Sequence, residues 1–238
     1  MEGCTLFGGY MLCDECRYNN KEDCDGKMKV EFWSLMKEFS IPSSPLYYAA
    51  NPSEAQQYAK LLGYPVVIKI DSPDISHKSD VGGVVLNVKN NKELEIVVIE
   101  MFNSIRKQFP DAKINGVSIQ QMSKPGGIEC IVGIKKDPQF GHVIMFGLGG
   151  IHAEIFKDIS FRVTLFEEFE AYNMISEIKS YALLNGIRGA EPVSIECIID
   201  VIMKLQEISK EHPEIEELDI NPLICYSDKA ICVDGRVF

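Results

Sequence analysis

Residues 66–88 read VVIKIDSPDISHKSDVGGVVLNV. The stretch opens on a continuous apolar run, which with the preceding Tyr64 and Pro65 suits a buried strand, and closes on a second one over 84–88. Between them lies a long polar loop, 71–83, of mixed charge. Lys69 stands at the end of the first strand, and Ser72, Asp74, His77, Lys78, Ser79 and Asp80 follow before the pair Gly82–Gly83. Glycines let backbone N–H groups approach phosphate oxygens, and lysine supplies a point charge. A histidine in such a loop is either a solvated bystander or a nucleophile, and the pattern alone leaves both open.

Outward from this stretch the elements are mixed. Upstream, Val30, Phe32, Trp33, Met36 and Phe39 give a helical face that ends at the IPSSP of 41–45. Ser53 with Gln56 forms a capping-box signature for a helix over 53–62, with Gly63 at the C-cap. Downstream, 92–109 is helical and closed by Pro110. Strands are expected near 116–122, 130–136 and 142–147. Helices follow over 168–185 and 193–211, stopped by Gly186 and Pro213. LDINPLIC and AICVDGRV then flank the turn YSDK as a hairpin. No βαβ rhythm repeats, so the fold class is α+β with two lobes rather than a doubly wound sheet.

Composition narrows the function. The chain has 238 residues, 46% hydrophobic and 25% charged, and a net charge of −11 from 35 acids and 24 bases. No basic face is available for nucleic acid, whereas a small phosphorylated ligand is compatible with an acidic background when local cations, amides and Mg²⁺ neutralise it. No run reaches the roughly 18 apolar residues of a membrane span. The N-terminal MEGCTLFGGYMLCDEC lacks the basic flank and apolar stretch of a signal peptide. A cytoplasmic protein is the expectation.

Three further clusters carry possible chemistry. Asp219 and Asn221 share one face of a strand, and Asp234 on the partnering strand can come alongside. Such hard oxygen donors suit Mg²⁺ bridging nucleotide phosphates, or form an ordinary solvated hairpin face. FGLGGIHAE (146–154) resembles a dinucleotide fingerprint but has His152 where Gly or Ala is needed and no βαβ unit around it. Gly147, Gly149 and Gly150 there make a phosphate-approach loop or a tight turn. Cys4-x8-Cys13-x2-Cys16-x7-Cys24 gathers four thiols in a segment without its own core. It suits Zn²⁺ or an iron–sulfur cluster, with loose reduced cysteines as the alternative. Cys130, Cys197, Cys225 and Cys232 read as core residues.

VVIKIDSPDISHKSDVGGVVLNV, VSIQQM, VIMFGLGGIHAEIFKDISFRV and ELDINP, in that order, strongly resemble the ATP-grasp subunit of ADP-forming acetyl-CoA synthetases, relatives of succinyl-CoA synthetase. The resemblance covers about residues 28–238. It implies a two-lobed ATP-grasp fold with an N-terminal Cys-rich extension: 1–26 the extension, 27–45 a helix packing on the larger lobe, 46–117 the small lobe, and 118–238 the large lobe. It implies the reaction acyl-CoA + ADP + phosphate ⇌ carboxylate + CoA + ATP through phosphohistidines. The implied partner is a CoA-binding α subunit that carries the first of these on a mobile loop, so a hetero-oligomer is expected.

Residue by residue, the resemblance makes His77 the second phosphohistidine and Lys69 the lysine on nucleotide phosphates. Gly82 and Gly83 become backbone contacts of the glycine loop. Gln120, Gln121 and Met122 align with the hinge that reads adenine. The family usually has Glu at position 121, and Gln keeps a carbonyl acceptor while removing a charge. Glu129 aligns with the ribose partner, or is a surface acid after a Gly–Gly turn. Asn221 and Asp234 match Mg²⁺ ligands, and Asp219 orients a phosphohistidine or supports the metal. Glu154 and Arg162 face the incoming phosphohistidine loop, or pair with ions in their own segment. His142, His152 and His212 receive no role. Two other functions stay open at this point: a free-standing ATP-grasp carboxylate–amine ligase, and a non-enzymatic metal-dependent sensor or assembly module built on the Cys segment.

Overall fold

The structure, a computed structural model, describes residues 6–7, 10–11, 32–75, 78–149, 158–187 and 189–238. It divides into two units, residues 44–125 and residues 126–238 together with the segment before 44. At the N-terminus β1 (Leu6–Phe7) and β2 (Tyr10–Met11) pair antiparallel, and α1 covers 32–38.

The smaller unit runs β3 (Leu46–Ala49), α2 (Pro52–Leu62), β4 (Val66–Asp71), β5 (Val84–Val88), α3 (Asn91–Gln108) and β6 (Gly116–Gln121). Its sheet has the order β3-β6-β4-β5, every pair antiparallel. β6 lies between β3 and β4, which is why the division falls after residue 125 and not after 117 as expected from sequence. β3 itself was not anticipated. The cap of α2 also differs from expectation. Asn51, not Ser53, accepts the Glu54 N–H at 3.0 Å, and Glu54 returns a carboxylate to the Ala50 N–H at 2.9 Å. Pro52, already shaped for the first helical turn, moves the cap one residue ahead of itself. Gly63 closes the helix with φ +81°, its N–H on the Ala59 carbonyl, as its position suggested.

The larger unit contains β7 (Ile128–Asp137), β8 (Gly141–Leu148), β9 (Ile159–Val163), α4 (Glu168–Ser176), α5 (Tyr181–Leu184), α6 (Ile195–Glu211), β10 (Glu217–Cys225), β11 (Ala230–Cys232) and β12 (Gly235–Val237). Its sheet has the order β11-β10-β7-β8-β9, with β12 also paired to β10. α6 buries Ile198, Val201, Ile202, Leu205 and Ile208 at helical spacing, each worth roughly 1.5–3 kcal/mol of transfer from water. They join Val132, Ile134, Ile144 and Phe146 of the sheet and Phe32 and Met36 of α1 in one core. Cys130, Cys225 and Cys232 are buried there, whereas Cys197 sits only half-buried at the margin.

Two differences from expectation position the site. The helix expected over 168–185 is interrupted, because the Asp158 carboxylate takes the N–H groups of Lys179 and Ser180, both at 2.7 Å. β9 is an unanticipated edge strand whose Ile159, Phe161 and Val163 are exposed. No helix among the described residues is long and apolar enough to cross a membrane.

Candidate functional site

In the smaller unit, Val66, Ile68 and Ile70 enter the core with Val117 and Ile119. The alternate residues therefore share the opposite face of the sheet. Lys69, half-buried, stands there in register with Ser118 and Val84, and Gln120 in register with Val67. Lys69 and Gln120 are thus brought to one face. Gln121 is not. Its side-chain nitrogen lies 3.9 Å from where a Cβ on Gly63 would sit, at the end of α2. Met122 donates its N–H to the Pro65 carbonyl at 2.9 Å.

The loop after β4 is tied down at both ends. Ser72 donates its hydroxyl to the Lys113 carbonyl at 2.6 Å, and Asp74 accepts the Lys113 N–H at 2.6 Å. At the far end, Gly82 has φ +72° and gives its N–H to the Ser79 carbonyl at 3.3 Å. Gly83 gives its N–H to the Lys78 carbonyl and receives that of Ile70, both at 2.7 Å. A Cβ at Gly83 would lie 2.6 Å from the Ile70 side chain. The glycine pair therefore acts here through conformation and close approach, and both amides are spent inside the loop. His77 lies outside the described residues.

The larger unit assembles a polar face. Leu218 and Ile220 of β10 are buried, so Asp219 and Asn221 project from the other side. β12 runs antiparallel to β10 with Asp219 opposite Arg236 and Ile220 opposite Gly235. Beyond Ile220 the register with β7 shifts at a bulge, and there the Asn221 N–H reaches the Asp234 carbonyl at 2.9 Å. Asp219, Asn221, Asp234 and Arg236 thus occupy two neighbouring rungs of one face. Asp219 is 15% exposed and lies 3.3 Å from the Arg236 guanidinium. Burial pushes its carboxyl up and the Glu217 charge adds to this, while Arg236 opposes them. Gly133 lies beneath: a Cβ there would come 2.9 Å from the Asp219 carboxylate. Four residues back along β7, about 13 Å at the rise of a strand, Glu129 projects exposed from the same face. Among the described residues no group of three or more His, Cys, Asp and Glu side chains is gathered to hold a metal. The cross-strand pair Asn221 and Asp234 offers two hard oxygen donors, which suits Mg²⁺ because that ion completes its shell with water and phosphate.

Other candidates are committed elsewhere or lie outside the description. Arg162 on β9 forks onto both Glu177 oxygens at 3.0 and 2.6 Å and reaches Glu170 at 3.1 Å. The two carboxylates, Glu177 foremost, hold its guanidinium above its ordinary range, so its side chain is engaged by ion pairs from outside the 152–162 segment. Gly147 leaves room for the Asp158 carbonyl, and the Gly149 N–H bonds the Glu129 carbonyl at 2.7 Å. Both are accounted for by strand packing. His142 donates Nε2–H to the Ile215 carbonyl at 2.7 Å, and His212 meets Glu214. Glu154, His152, Gly150 and the cysteines at 4, 13, 16 and 24 lie outside the described residues. Sequence reasoning missed Arg236, although its spacing two residues after Asp234 on a strand placed it on the same face.

Asp158 anchors the chain leaving the 146–157 segment. Burial pulls its carboxyl upward, but hydrogen bonds from Ser180 and Lys179 hold it below its ordinary value. Asp158→Ala should lower stability by about 1–2 kcal/mol, the range of a lost helix cap. Because the folded pKa is depressed, the contribution is complete above the ordinary carboxylate range and fades as pH falls below about 4. Urea unfolding of wild type and variant should differ at neutral pH and converge in acid. A deficit independent of pH would contradict this account.

The ATP-grasp domain family matches residues 25–238. The β subunit of acetate–CoA ligase (ADP-forming) I from Pyrococcus furiosus is 48% identical over 210 residues, covering 88% of this chain and 90% of that one. A structure of dinucleotide-forming acetyl-coenzyme A synthetase 1 from Ca. Korarchaeum cryptofilum, in complex with coenzyme A and Ca-AMPCP, superposes with a TM-score of 0.84 at 41% identity. It covers 88% of this chain and 91% of that one. Another structure of that enzyme holds coenzyme A and Mg-AMPPCP, with a phosphohistidine segment pointing towards the nucleotide binding site. Its TM-score is 0.76 at 39% identity, covering 88% and 90%.

Proposed function

Because this chain belongs to the ATP-grasp family, with an ADP-forming acetate–CoA ligase β subunit 48% identical to it, we propose that it is the nucleotide-binding subunit of an ADP-forming acyl-CoA synthetase. The reaction is acyl-CoA + ADP + phosphate ⇌ carboxylate + CoA + ATP. The observation that carries this reading is likeness along nine-tenths of a β subunit, and the polar face built by Asp219, Asn221, Asp234 and Arg236 agrees with it.

In the proposed mechanism a CoA-binding α subunit forms the acyl phosphate and delivers the phosphoryl group on its own histidine. A neutral imidazole nitrogen of His77 accepts the group, and a terminal ADP oxygen then takes it, restoring the imidazole. Lys69 neutralises nucleotide phosphates, Gln120 belongs to the adenine environment with Gln121 and Met122, and Glu129 meets the ribose. Asn221 and Asp234 would hold Mg²⁺, which supplies charge neutralisation and alignment of the phosphates when bound. Asp219 orients the incoming phosphohistidine, as does Glu154. The cysteines at 4, 13, 16 and 24 precede the matched domain and form a separate Zn²⁺ or iron–sulfur site, and the protein works in the cytoplasm.

The test is co-purification with a CoA-binding subunit followed by an assay of ATP formation. ATP should form only when acyl-CoA, ADP, phosphate and Mg²⁺ are all present. ATP-dependent joining of a carboxylate to an amine by this chain alone would replace the reading with that of a free-standing ligase. Metal analysis of the full chain decides the cysteine site: loss of bound metal in the Cys13→Ser, Cys16→Ser variant is expected.

A further inference from the structure

The geometry points to Arg236 as a phosphate-contacting residue that reaches the nucleotide from the rung beside Asn221 and Asp234. The inference rests on the nucleotide reading above and adds a side chain to it. Gly235 and Val237 face the core, so the alternation of β12 puts Arg236 on the outward face with Asp219. The rung of Asn221 and Asp234 follows two residues along β10, about 7 Å away, within the length of an arginine side chain.

The chain contains an internal standard for a structural arginine. Arg162 is 22% exposed in its side chain and forks onto two oxygens of Glu177, at 3.0 and 2.6 Å. Arg236 is 59% exposed and sends Nη2 and Nε to a single Asp219 oxygen, at 3.3 and 3.4 Å. That is a loose contact, not the parallel fork of a committed pair. Its guanidinium carbon stands 5.3 Å from the Phe238 ring centroid, so the charged group rests against that ring as well, and Nη1 has no hydrogen bond to the described residues. The surrounding face carries Glu217, Asp219 and Asp234, and repels a polyphosphate unless a cation stands among them. A guanidinium is always charged, and its planar fork matches phosphate oxygens. Arg236 is thus parked on Asp219 and free to turn one or two N–H groups to a phosphate held at the neighbouring rung.

The test is calorimetric titration of the full chain with MgADP. Arg236→Met keeps an unbranched side chain without the charge and should weaken MgADP about 10- to 100-fold, the loss of a charge-assisted hydrogen bond. Arg236→Lys keeps the charge and should fall between the two. The same drop should appear when Arg236→Met is placed in an Asp219→Ala background. Unchanged affinity overturns the inference. So does a drop that vanishes in that background, since Arg236 would then act only by holding Asp219. Wild-type protein that fails to bind MgADP overturns the nucleotide reading itself, and this inference with it.

Discussion

His77→Asn should abolish acyl-CoA-dependent ATP formation, by about a thousandfold or more, while leaving MgADP affinity within twofold of wild type. The asymmetry follows from the role proposed for the imidazole. It is a covalent way station, so its nitrogen must form the bond to phosphorus and then give it up. Asparagine fills similar space but has no nucleophilic lone pair on an aromatic nitrogen. In the proposed function nucleotide binding is assigned instead to Lys69, Gln120 and the polar face of β10. The loop that contains His77 is held at Ser72 and Asp74 on one side and at Gly82 and Gly83 on the other. A single side-chain change between those anchors leaves them in place. Incubation with labelled phosphoryl donor should label wild type with acid-labile, base-stable phosphate and leave the variant unlabelled. Undiminished turnover in His77→Asn would falsify the relay.

Much of the architecture is legible where one residue decides between two periods. The run VVIKI reads as a buried strand because no polar residue interrupts it until Lys69, and Lys69 proves to be where the sheet turns a charged side chain to its outer face. The hairpin of β10, β11 and β12 is legible from YSDK. Its return strand is broken at 233–234, opposite the β10 bulge; Pro222, which cannot donate to a ladder, marks that place in the sequence, but LDINPLIC was read as one continuous strand. β3 and β9 were missed for different reasons. LYYA is too short for its alternation to register. ISFRV does alternate, but over only five residues and with the faces inverted: Ser160 turns inward and Ile159, Phe161 and Val163 outward. The Ser53 cap was a plausible motif defeated by Pro52. The break after α4 comes from Asp158, a partner about 20 residues upstream, invisible to any window over the helix itself. On the outer face of β10, the shared side of Asp219 and Asn221 was legible from their spacing of two. Arg236 escaped because an exposed arginine on a short strand has an ordinary surface explanation.

Gly235→Ala should be the most damaging single-methyl change in the larger unit, costing about 3 kcal/mol or more. A Cβ there would collide with the Phe32 ring and the Asp219 carbonyl. Neither neighbour yields easily: Phe32 is wholly buried in the core, and the carbonyl belongs to the strand paired with β12. Backbone conformation is not the cause, since no left-handed φ is recorded at Gly235. Gly141→Ala supplies the contrast. Its φ is +76° but a Cβ meets nothing, so it should cost only about 1–2 kcal/mol of strain. Urea unfolding of the two variants separates collision from strain. The damage at Gly235 should also reach the site, because β12 can relieve the clash only by moving away from β10. That movement pulls Arg236 from Asp219 and Asp234 from Asn221 together. MgADP affinity should therefore fall in Gly235→Ala, under conditions where the protein is still folded, and hold in Gly141→Ala. Shortening the obstacle with Phe32→Leu should restore part of both stability and affinity in the double variant, a coupling expected only for residues in contact. A Gly235→Ala protein as stable as wild type would mean that the close packing of β12 on Phe32 is not what holds the polar face together.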